Sequence, residues 1–301
     1  MQTFHSNGKL LLTGEYMVLD GALALAIPTV YGQSLSVTKS DRKELNWTSI
    51  NKDGSTWYNG VFSLKDNKII ANHKDETSEI LLNILRKARE QNPDFLDGRE
   101  GFSVITKLDF PRNWGLGTSS TLINNIARWA EINSFELLRE SFGGSGYDIA
   151  AAQQDTPFLY SNKADKTTIT PVRLLWKFSD NLFFIYLNKK QDSKEGIAMY
   201  RKLSVEKDEI VSAISALTLK ITACEQLSDF IALMERHENI ISGLLGLPRI
   251  KDELFPDYPG LVKSLGAWGG DFVLVSGDTS EMDYFSDKGY QTIIPFSEML
   301  K

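Results

Sequence analysis

The amino-acid sequence predicts an α+β protein of two layered halves, and three observations lead to this fold class. The 301 residues are 42% hydrophobic, which is enough to bury one large or two medium cores. Strand-like and helix-like segments alternate without the regular βαβ rhythm of a doubly wound sheet. The weakest patterning falls at residues 162–166. We therefore expect two domains, 1–162 and 163–301.

The first half of the chain shows both kinds of periodicity. Its opening third carries alternating or continuous apolar runs, which are typical of strands. The stretch "DETSEILLNILRKAREQN" then repeats apolar residues at helical spacing behind an acidic cap. The expected elements are strands in "KLLLTGEYMVLDGALALAI" and "QSLSVTKS", hairpins over 43–71 with turns at 52–55 and 65–68, a helix over 75–92, a strand over 101–110, a helix from Ser119, a short helix in "FELLRESF", and a glycine loop entering a helix over 143–154.

The second half is richer in helical periodicity. Apolar residues recur at helical spacing through its middle, and apolar runs bounded by turn residues flank them. The expected elements are strands over 167–176 and 182–188, helices over roughly 194–203, 206–224 and 226–245, and closing strands over 271–277 and 290–296.

Composition excludes several classes of function. The formal net charge of −6 argues against a nucleic-acid binder, which needs a basic surface. The single cysteine excludes an internal disulfide, and the three histidines show no metal-ligand spacing. No apolar stretch has the length of a signal sequence or a membrane span, so we expect a cytoplasmic protein without a membrane partner.

The stretch "PRNWGLGTSS" places two glycines ahead of three hydroxyl side chains. Gly115 and Gly117 allow backbone N–H groups to turn inward, and a helix beginning near Ser119 would aim its positive end at the same place. The hydroxyls of Thr118, Ser119 and Ser120 would then contact phosphate oxygens or Mg²⁺. The alternative is an ordinary Ser/Thr N-cap after a glycine turn. From these residues alone, both interpretations stay open.

Two further glycine loops carry candidate residues. "GGSGYDIAAA" delivers Asp148 near a helix start, either as a plain N-cap or as a carboxylate that orients and deprotonates an attacking hydroxyl. "KSLGAWGGDF" is either a helix-to-strand connection, with Trp268 and Phe272 as packing residues, or a ligand-binding loop. Lys9 sits beside a glycine, and "NKKQDSK" adds further lysines, although a lysine cluster is usually a solvated surface.

The order of these loops along one chain resembles the signature series of the GHMP kinase superfamily. Its members phosphorylate galactose, homoserine, mevalonate and phosphomevalonate. The resemblance runs from Lys9 to Val275 through "GKLLLTGEYMVLDG", "PRNWGLGTSS", "GSGYDIAAA" and "GAWGGDFVLV". The central motif, Pro-x-x-x-Gly-Leu-Gly-Ser-Ser, is matched by Pro111, Gly115, Leu116, Gly117 and Ser119.

Within the superfamily, the sequence looks most similar to the mevalonate kinase and phosphomevalonate kinase branch. "GKLLLTGEY" resembles the opening of bacterial phosphomevalonate kinases, and "GSGYDIAAA" and Gly270-Asp271 are similar to motifs of the same branch. This resemblance implies the two-domain GHMP-kinase fold. Its N-terminal domain is a ribosomal-protein-S5-like α/β domain that binds ATP, and its C-terminal domain is a ferredoxin-like α+β domain.

The resemblance also implies roles for individual residues. Asp148 matches the catalytic carboxylate, and Lys9 matches the lysine that pairs with it or with the transferred phosphoryl group. Ser119 matches the Mg²⁺ ligand, and a glutamate completes the metal site, with Glu140 as the candidate and Glu136 as the alternative. The residues implied to bind ATP are Pro111, Gly115, Leu116, Gly117, Thr118, Ser119 and Ser120. Those implied to bind the acceptor are Glu15, Ser145, Gly146, Ser193, Gly266, Ala267, Gly269 and Gly270.

The expected function is therefore an ATP- and Mg²⁺-dependent kinase of a small molecule, with mevalonate or 5-phosphomevalonate as acceptor. Two alternatives stay open: a decarboxylase of diphosphomevalonate with the same fold, and a non-catalytic binding protein. Trp268 stands where the third loop normally has glycine, so its indole must point away or fill part of the acceptor pocket. We expect a monomer or a homodimer with no nucleic-acid partner.

Overall fold

The computed structural model describes residues 1–65, 68–163, 166–191 and 193–301. Three sequence-based predictions therefore fall partly outside the described residues. They are the turn at 65–68, the domain junction at 162–166, and the lysine segment "NKKQDSK".

Strands and helices are interspersed along the whole chain. The strands are β1 Gln2–Leu11, β2 Ala24–Ser40, β3 Glu44–Ile50, β4 Thr56–Lys65, β5 Lys68–Ala71, β6 Gly101–Leu108, β7 Phe158–Lys163, β8 Lys166–Pro171, β9 Leu182–Tyr186, β10 Val262–Ser264, β11 Phe272–Ser276 and β12 Ile293–Pro295. The helices are α1 Glu76–Gln91, α2 Thr118–Ala130, α3 Ser134–Ser141, α4 Tyr147–Gln153, α5 Ser193–Arg201, α6 Asp208–Thr222, α7 Leu227–Leu245, α8 Ile250–Leu254, α9 Asp283–Asp287 and α10 Phe296–Met299.

The chain divides into two compact units whose segments alternate along the sequence. Unit 1 contains Met1–Gly8, Tyr31–Arg112 and Leu116–Gln153. Unit 2 contains Lys9–Val30, Asn113–Gly115 and Gln154–Lys301. The domain bounds expected from the sequence, 1–162 and 163–301, stay a prediction.

Unit 1 is a mixed sheet with helices. Residues 33–40 of β2 pair antiparallel with β6, which pairs in parallel with β3, and β3 continues antiparallel to β4 and β5. Its apolar core joins inward-facing strand residues to the apolar faces of α1, α2 and α3. Fully or almost fully buried members include Leu35, Trp47, Phe62, Ile84, Leu85, Val104 and Ile126.

Unit 2 contains the strands β7 to β12, the first part of β2 and the 19-residue helix α7. Residues 24–26 of β2 pair antiparallel with β7, which pairs antiparallel with β8. A separate antiparallel sheet has the order β10-β11-β9-β12. Its strands β9 and β11 are buried along their full length, as expected for central strands. The described helices include none that is long and apolar enough to cross a membrane.

Most of the predicted elements are found, but β7 and the short helices α8, α9 and α10 were not predicted, and three further differences concern single segments. The apolar run before the Asp-Gly, expected in a strand region, forms a 3₁₀ turn at Met17–Asp20 because Tyr16 and Gly21 flank it with φ of 60° and 87°. The strand expected over 167–176 ends at Pro171. Strand β10 has three residues, too few to show a period.

Capping of α3 gives a test of the unit 1 helices. The Asn133 side chain accepts hydrogen bonds from the N–H groups of Phe135 and Glu136, at 2.9 and 3.2 Å. We expect Asn133→Ala to lower the free energy of unfolding by about 1 kcal/mol, measured by urea denaturation. Asn133→Asp keeps the acceptor and is the matched control. Equal midpoints for the alanine and aspartate variants would contradict this role.

Candidate functional site

The end of "PRNWGLGTSS", residues 116–120, lies in unit 1 and leads into the first turn of α2. Gly117 occupies the N-cap position with φ 88° and ψ 40°, and α2 has no side-chain cap. Its carbonyl accepts the opening helical hydrogen bond from the N–H of Thr121, at 3.0 Å. A Ser/Thr cap, one of the two interpretations left open by the sequence, is therefore wrong at this helix.

The hydroxyls behind Gly117 point to other partners. Ser120 Oγ donates to the Gly117 carbonyl at 2.9 Å, and Thr121 Oγ1 donates to Gln33 Oε1 at 2.8 Å. Ser119 is exposed. Leu116 is fully buried. The N–H groups in the first turn of α2 therefore have no side-chain cap. A helix N-terminus of this kind favours a bound anion.

Asp148 lies in the first turn of α4, as the second helical residue. The N-cap interpretation of Asp148 is therefore wrong. The preceding glycines have left-handed backbones, with φ of 73° at Gly143, 113° at Gly144 and 89° at Gly146, and Ser145 is buried among them. Gln153, at the other end of α4, donates a hydrogen bond of 2.8 Å to Asn124 of α2. This bond links the helix that carries Asp148 to the helix that carries Ser119.

Of the candidate metal ligands, Ser119 lies on α2, and Glu140 and its alternative Glu136 both lie on α3. Glu140 is exposed on α3 and accepts a hydrogen bond of 3.1 Å from Gln91 of α1, whereas Glu136 pairs with Arg139. Within the described ranges, no group of three or more His, Cys, Asp or Glu side chains is arranged to hold a metal ion. A metal site made of Ser119 and Glu140 stays a prediction.

Lys9 and Gly115 meet in unit 2. Lys9 Nζ donates to the carbonyl of Gly115 at 3.0 Å. Gly115 has φ 66°, the left-handed conformation that glycine adopts most easily. The sequence motifs that contain Lys9 and Gly115 are thus in direct contact, although 106 positions separate them.

The third glycine loop connects two strands, β10 and β11, so the helix-to-strand connection expected as one alternative is wrong. Gly266 and Gly269 have φ of 66° and 94°, and Ala267 is buried. Trp268 is 6% exposed. Its backbone N–H donates to Tyr16 Oη at 3.0 Å, and its indole N–H donates to the Pro248 carbonyl at 2.9 Å. The indole is therefore used to anchor the loop.

The segment that follows β9 lies close to the same loop. A Cβ added at Gly270 would lie 2.8 Å from Gln191 Cβ and 3.0 Å from the Lys189 carbonyl, so a larger residue would displace this segment. Lys189 and Lys190 are exposed. Ser193, expected to bind the acceptor, is exposed at the first position of α5.

A buried charge cluster in unit 2 was missed by sequence reasoning. Lys263 Nζ lies 2.7 Å from Glu15 Oε1 and 3.2 Å from Glu238 Oε2. His237 Nε2 lies 3.5 Å from Glu15 Oε2. All four side chains are 2% exposed or less. The sequence does contain a signal for this cluster. Lys263 interrupts an apolar run, and His237 and Glu238 fall on the apolar face of α7.

This cluster holds two carboxylates against one ammonium. The N–H of Gly14 donates to His237 Nε2 at 2.9 Å, and burial lowers the pKa of His237 well below its usual value, so the imidazole is neutral. Burial raises the pKa of Glu15 to about 7, against the opposing effect of Lys263. Glu15, expected to bind the acceptor, is instead engaged with Lys263 in this structure; its predicted role stays a prediction.

The fold is that of several sugar and mevalonate kinases. One solved mevalonate kinase is 16% identical, with 98% of each chain covered and a TM-score of 0.70. Streptococcus pneumoniae phosphomevalonate kinase, in complex with phosphomevalonate and AMPPNP, is 16% identical over 96% of each chain, with a TM-score of 0.68. Lactococcus lactis galactokinase, complexed with galactose, is 14% identical over 100% of this chain and 93% of its own, with a TM-score of 0.68.

These similarities confirm the α+β fold of the GHMP kinases that the motifs predict, and the assignment of its two domains stays a prediction. The sequence matches no protein-family profile and no curated protein sequence. At these identities, the structural similarity establishes the fold, and the activity has to be argued from the residues.

The charge cluster predicts a pH dependence of stability. The pKa of Glu15 rises from 4.5 to about 7 on folding, so its contribution to stability is complete below pH 4.5 and is lost as the pH rises to about 7. Relative to Glu15→Gln, the wild type should lose on the order of 2 kcal/mol of unfolding free energy across this window. Denaturant titrations at several pH values measure the difference.

Glu235→Gln is the control for this experiment, because Glu235 lies on the same helix as Glu238 but is partly exposed. Its pH profile should run parallel to that of the wild type. A Glu15→Gln profile that is also parallel would contradict the raised pKa of Glu15.

Proposed function

We propose that this chain is an ATP-dependent kinase that transfers the γ-phosphoryl group to a small acceptor, with mevalonate or 5-phosphomevalonate favoured. This assignment would give it a role in isoprenoid precursor synthesis in the cytoplasm. The observation that carries the proposal is the first turn of α2, where Gly117 leaves the helix without a side-chain cap. A helix end of this kind attracts phosphate, and the glycine loop before it matches the ATP-binding motif of the GHMP kinases.

The phosphate-binding residues have chemistry that fits a nucleotide and its metal. Backbone N–H groups of residues 115–119 would bind the phosphates, and the exposed Ser119 would provide one oxygen ligand to Mg²⁺. A Mg²⁺ that is bound mainly through phosphates and water needs only one or two protein oxygens, so the isolated Ser119 fits this role. When bound, Mg²⁺ neutralises phosphate charge.

Asp148 and Lys9 would act on the reacting groups. Asp148 would orient the acceptor hydroxyl and take its proton, and Lys9 would stabilise the charge of the transferred phosphoryl group. In-line transfer of a phosphoryl group depends mainly on positioning and electrostatic stabilisation. The left-handed glycines before α4 and the Lys9–Gly115 hydrogen bond support such fixed positions.

Features of unit 2 support an anionic acceptor. Lys189 and Lys190 are exposed beside the third glycine loop, and Ser193 begins α5 in the next stretch of chain. Lysines are suited to a carboxylate or a phosphate on the acceptor. The similar phosphomevalonate kinase structure contains phosphomevalonate, which carries both groups.

Asp148→Asn tests the catalytic role. The amide keeps the size of the side chain but cannot take a proton, so turnover should fall by roughly 10²–10⁴-fold while AMPPNP binding changes little. Asp41→Asn, at an exposed position of unit 1, is the control and should turn over normally. Turnover is measured as ADP release. Near-normal turnover by Asp148→Asn would contradict a catalytic role for Asp148.

An acceptor panel separates the proposed kinase from its alternatives. ATP consumption is followed with mevalonate, 5-phosphomevalonate, diphosphomevalonate, homoserine, galactose and other sugars. Phosphorylated mevalonate or diphosphomevalonate as product supports the kinase. Release of CO₂ from diphosphomevalonate identifies a decarboxylase. Nucleotide binding without consumption across the panel favours a binding protein.

A further inference from the structure

A short piece of the glycine loop, residues 113–115, is built into unit 2. Tyr186 Oη donates a hydrogen bond of 2.9 Å to the carbonyl of Asn113. Trp114 is 8% exposed and packs edge-on against Phe272, with 5.5 Å between the ring centroids. Because Tyr186 and Phe272 are paired residues at the ends of β9 and β11, the sheet itself supports this segment.

Asp271 lies immediately before β11 in a left-handed conformation with φ 55°. Its N–H donates to the Lys189 carbonyl at 2.7 Å, and its carbonyl accepts from the N–H of Leu187 at 2.8 Å, so the backbone is held in this conformation. Glycine would adopt the same φ more easily. The backbone conformation alone therefore does not explain why position 271 carries a carboxylate.

The carboxylate of Asp271 packs directly on Gly115. It is buried, and its Oδ1 accepts a hydrogen bond of 3.2 Å from the N–H of Gln191. A Cβ added at Gly115 would lie 2.2 Å from Oδ2 and 2.3 Å from Cγ of Asp271. The carboxylate thus fills the space that a side chain at position 115 would need.

Lys9 also contacts Gly115, through the carbonyl of that glycine. Its Nζ donates to the Gly115 carbonyl at 3.0 Å. Burial raises the pKa of the Asp271 carboxyl, against the opposing effect of the charges of Lys9 and Lys190. Gly115 is therefore fixed by a buried carboxylate against its Cα and by an ammonium on its carbonyl.

We propose that Asp271 is a positioning residue of the glycine loop: its carboxylate, acting with Lys9, fixes the backbone of Gly115 in the conformation that binds the nucleotide phosphates. The ligand in this statement rests on the proposed function. The positioning of Gly115 does not, and it can be tested without ligand. A loop fixed before binding gains affinity because less conformational entropy is lost when the ligand arrives.

Hydrogen–deuterium exchange of the ligand-free chain tests the positioning. Asp271→Gly removes the carboxylate and tolerates the left-handed φ, so the fold should survive and the peptide containing residues 113–115 should exchange severalfold faster. Asp278→Gly is the control at the other end of β11, where the carboxylate accepts from Ser280 and Glu281 at 2.8 and 3.0 Å. Exchange in Asp271→Gly equal to that of the wild type would overturn the proposal.

Calorimetric titration with AMPPNP and Mg²⁺ tests the consequence for binding. We expect Asp271→Gly to raise Kd about tenfold and Asp271→Asn, which keeps the shape and the acceptor for Gln191, to recover most of the affinity. Unchanged affinity in Asp271→Gly overturns the proposal and leaves the proposed function standing. No binding by the wild type overturns the proposed function, and the exchange result still decides whether Asp271 positions Gly115.

Gly115→Ala tests the contact itself. In the wild-type background, the new Cβ meets the Asp271 carboxylate and also suffers the strain of a positive φ. In the Asp271→Gly background, only the strain is left, so the fall in Tm caused by Gly115→Ala should be clearly smaller. Equal falls in both backgrounds would show that the contact is absent and would overturn the proposal.

Discussion

The left-handed backbone at Gly117 is the constraint on which the candidate phosphate site depends. A glycine in this conformation ends the loop and opens α2 without offering a side chain to the first N–H groups. The nearby hydroxyls of Ser120 and Thr121 turn to other acceptors, which include the Gly117 carbonyl. The positive end of a thirteen-residue helix is thereby left without a side-chain cap, which favours an anion.

Unit 2 fixes its own glycine-rich segments by buried polar contacts. Trp268 anchors the third loop through hydrogen bonds to Tyr16 and Pro248, and Asp271 with Lys9 holds Gly115. Lys263 lies in β10, the strand before the third loop, and it pairs with Glu15, the residue before Tyr16. A buried charge pair adds little net stability to the folded state. Removal of one partner is strongly destabilising, because it leaves the other charge buried and unpaired, so the pair fixes the segments that it joins.

The sequence predicts what is set by local chemistry. The helices α1 and α2, the hairpins of unit 1 and the glycine-rich loops follow from periodicity and turn residues. The choice of Gly117 over a hydroxyl cap could not be predicted, because both are acceptable N-caps. The Lys263–Glu15 pair spans 248 positions and the Lys9–Gly115 contact 106, and no local pattern encodes such pairings. Trp268, an outlier in its motif, pointed to a special contact without revealing its partner.

Backbone amide chemical shifts during titration with AMPPNP and Mg²⁺ test the central claim most directly. If the first turn of α2 binds the nucleotide phosphates, the largest shifts should appear at Gly117, Thr118, Ser119 and Ser120, and they should be absent when adenosine replaces the nucleotide analogue. Binding that leaves these four amides unperturbed, or shifts that adenosine reproduces, would contradict a phosphate site at this helix.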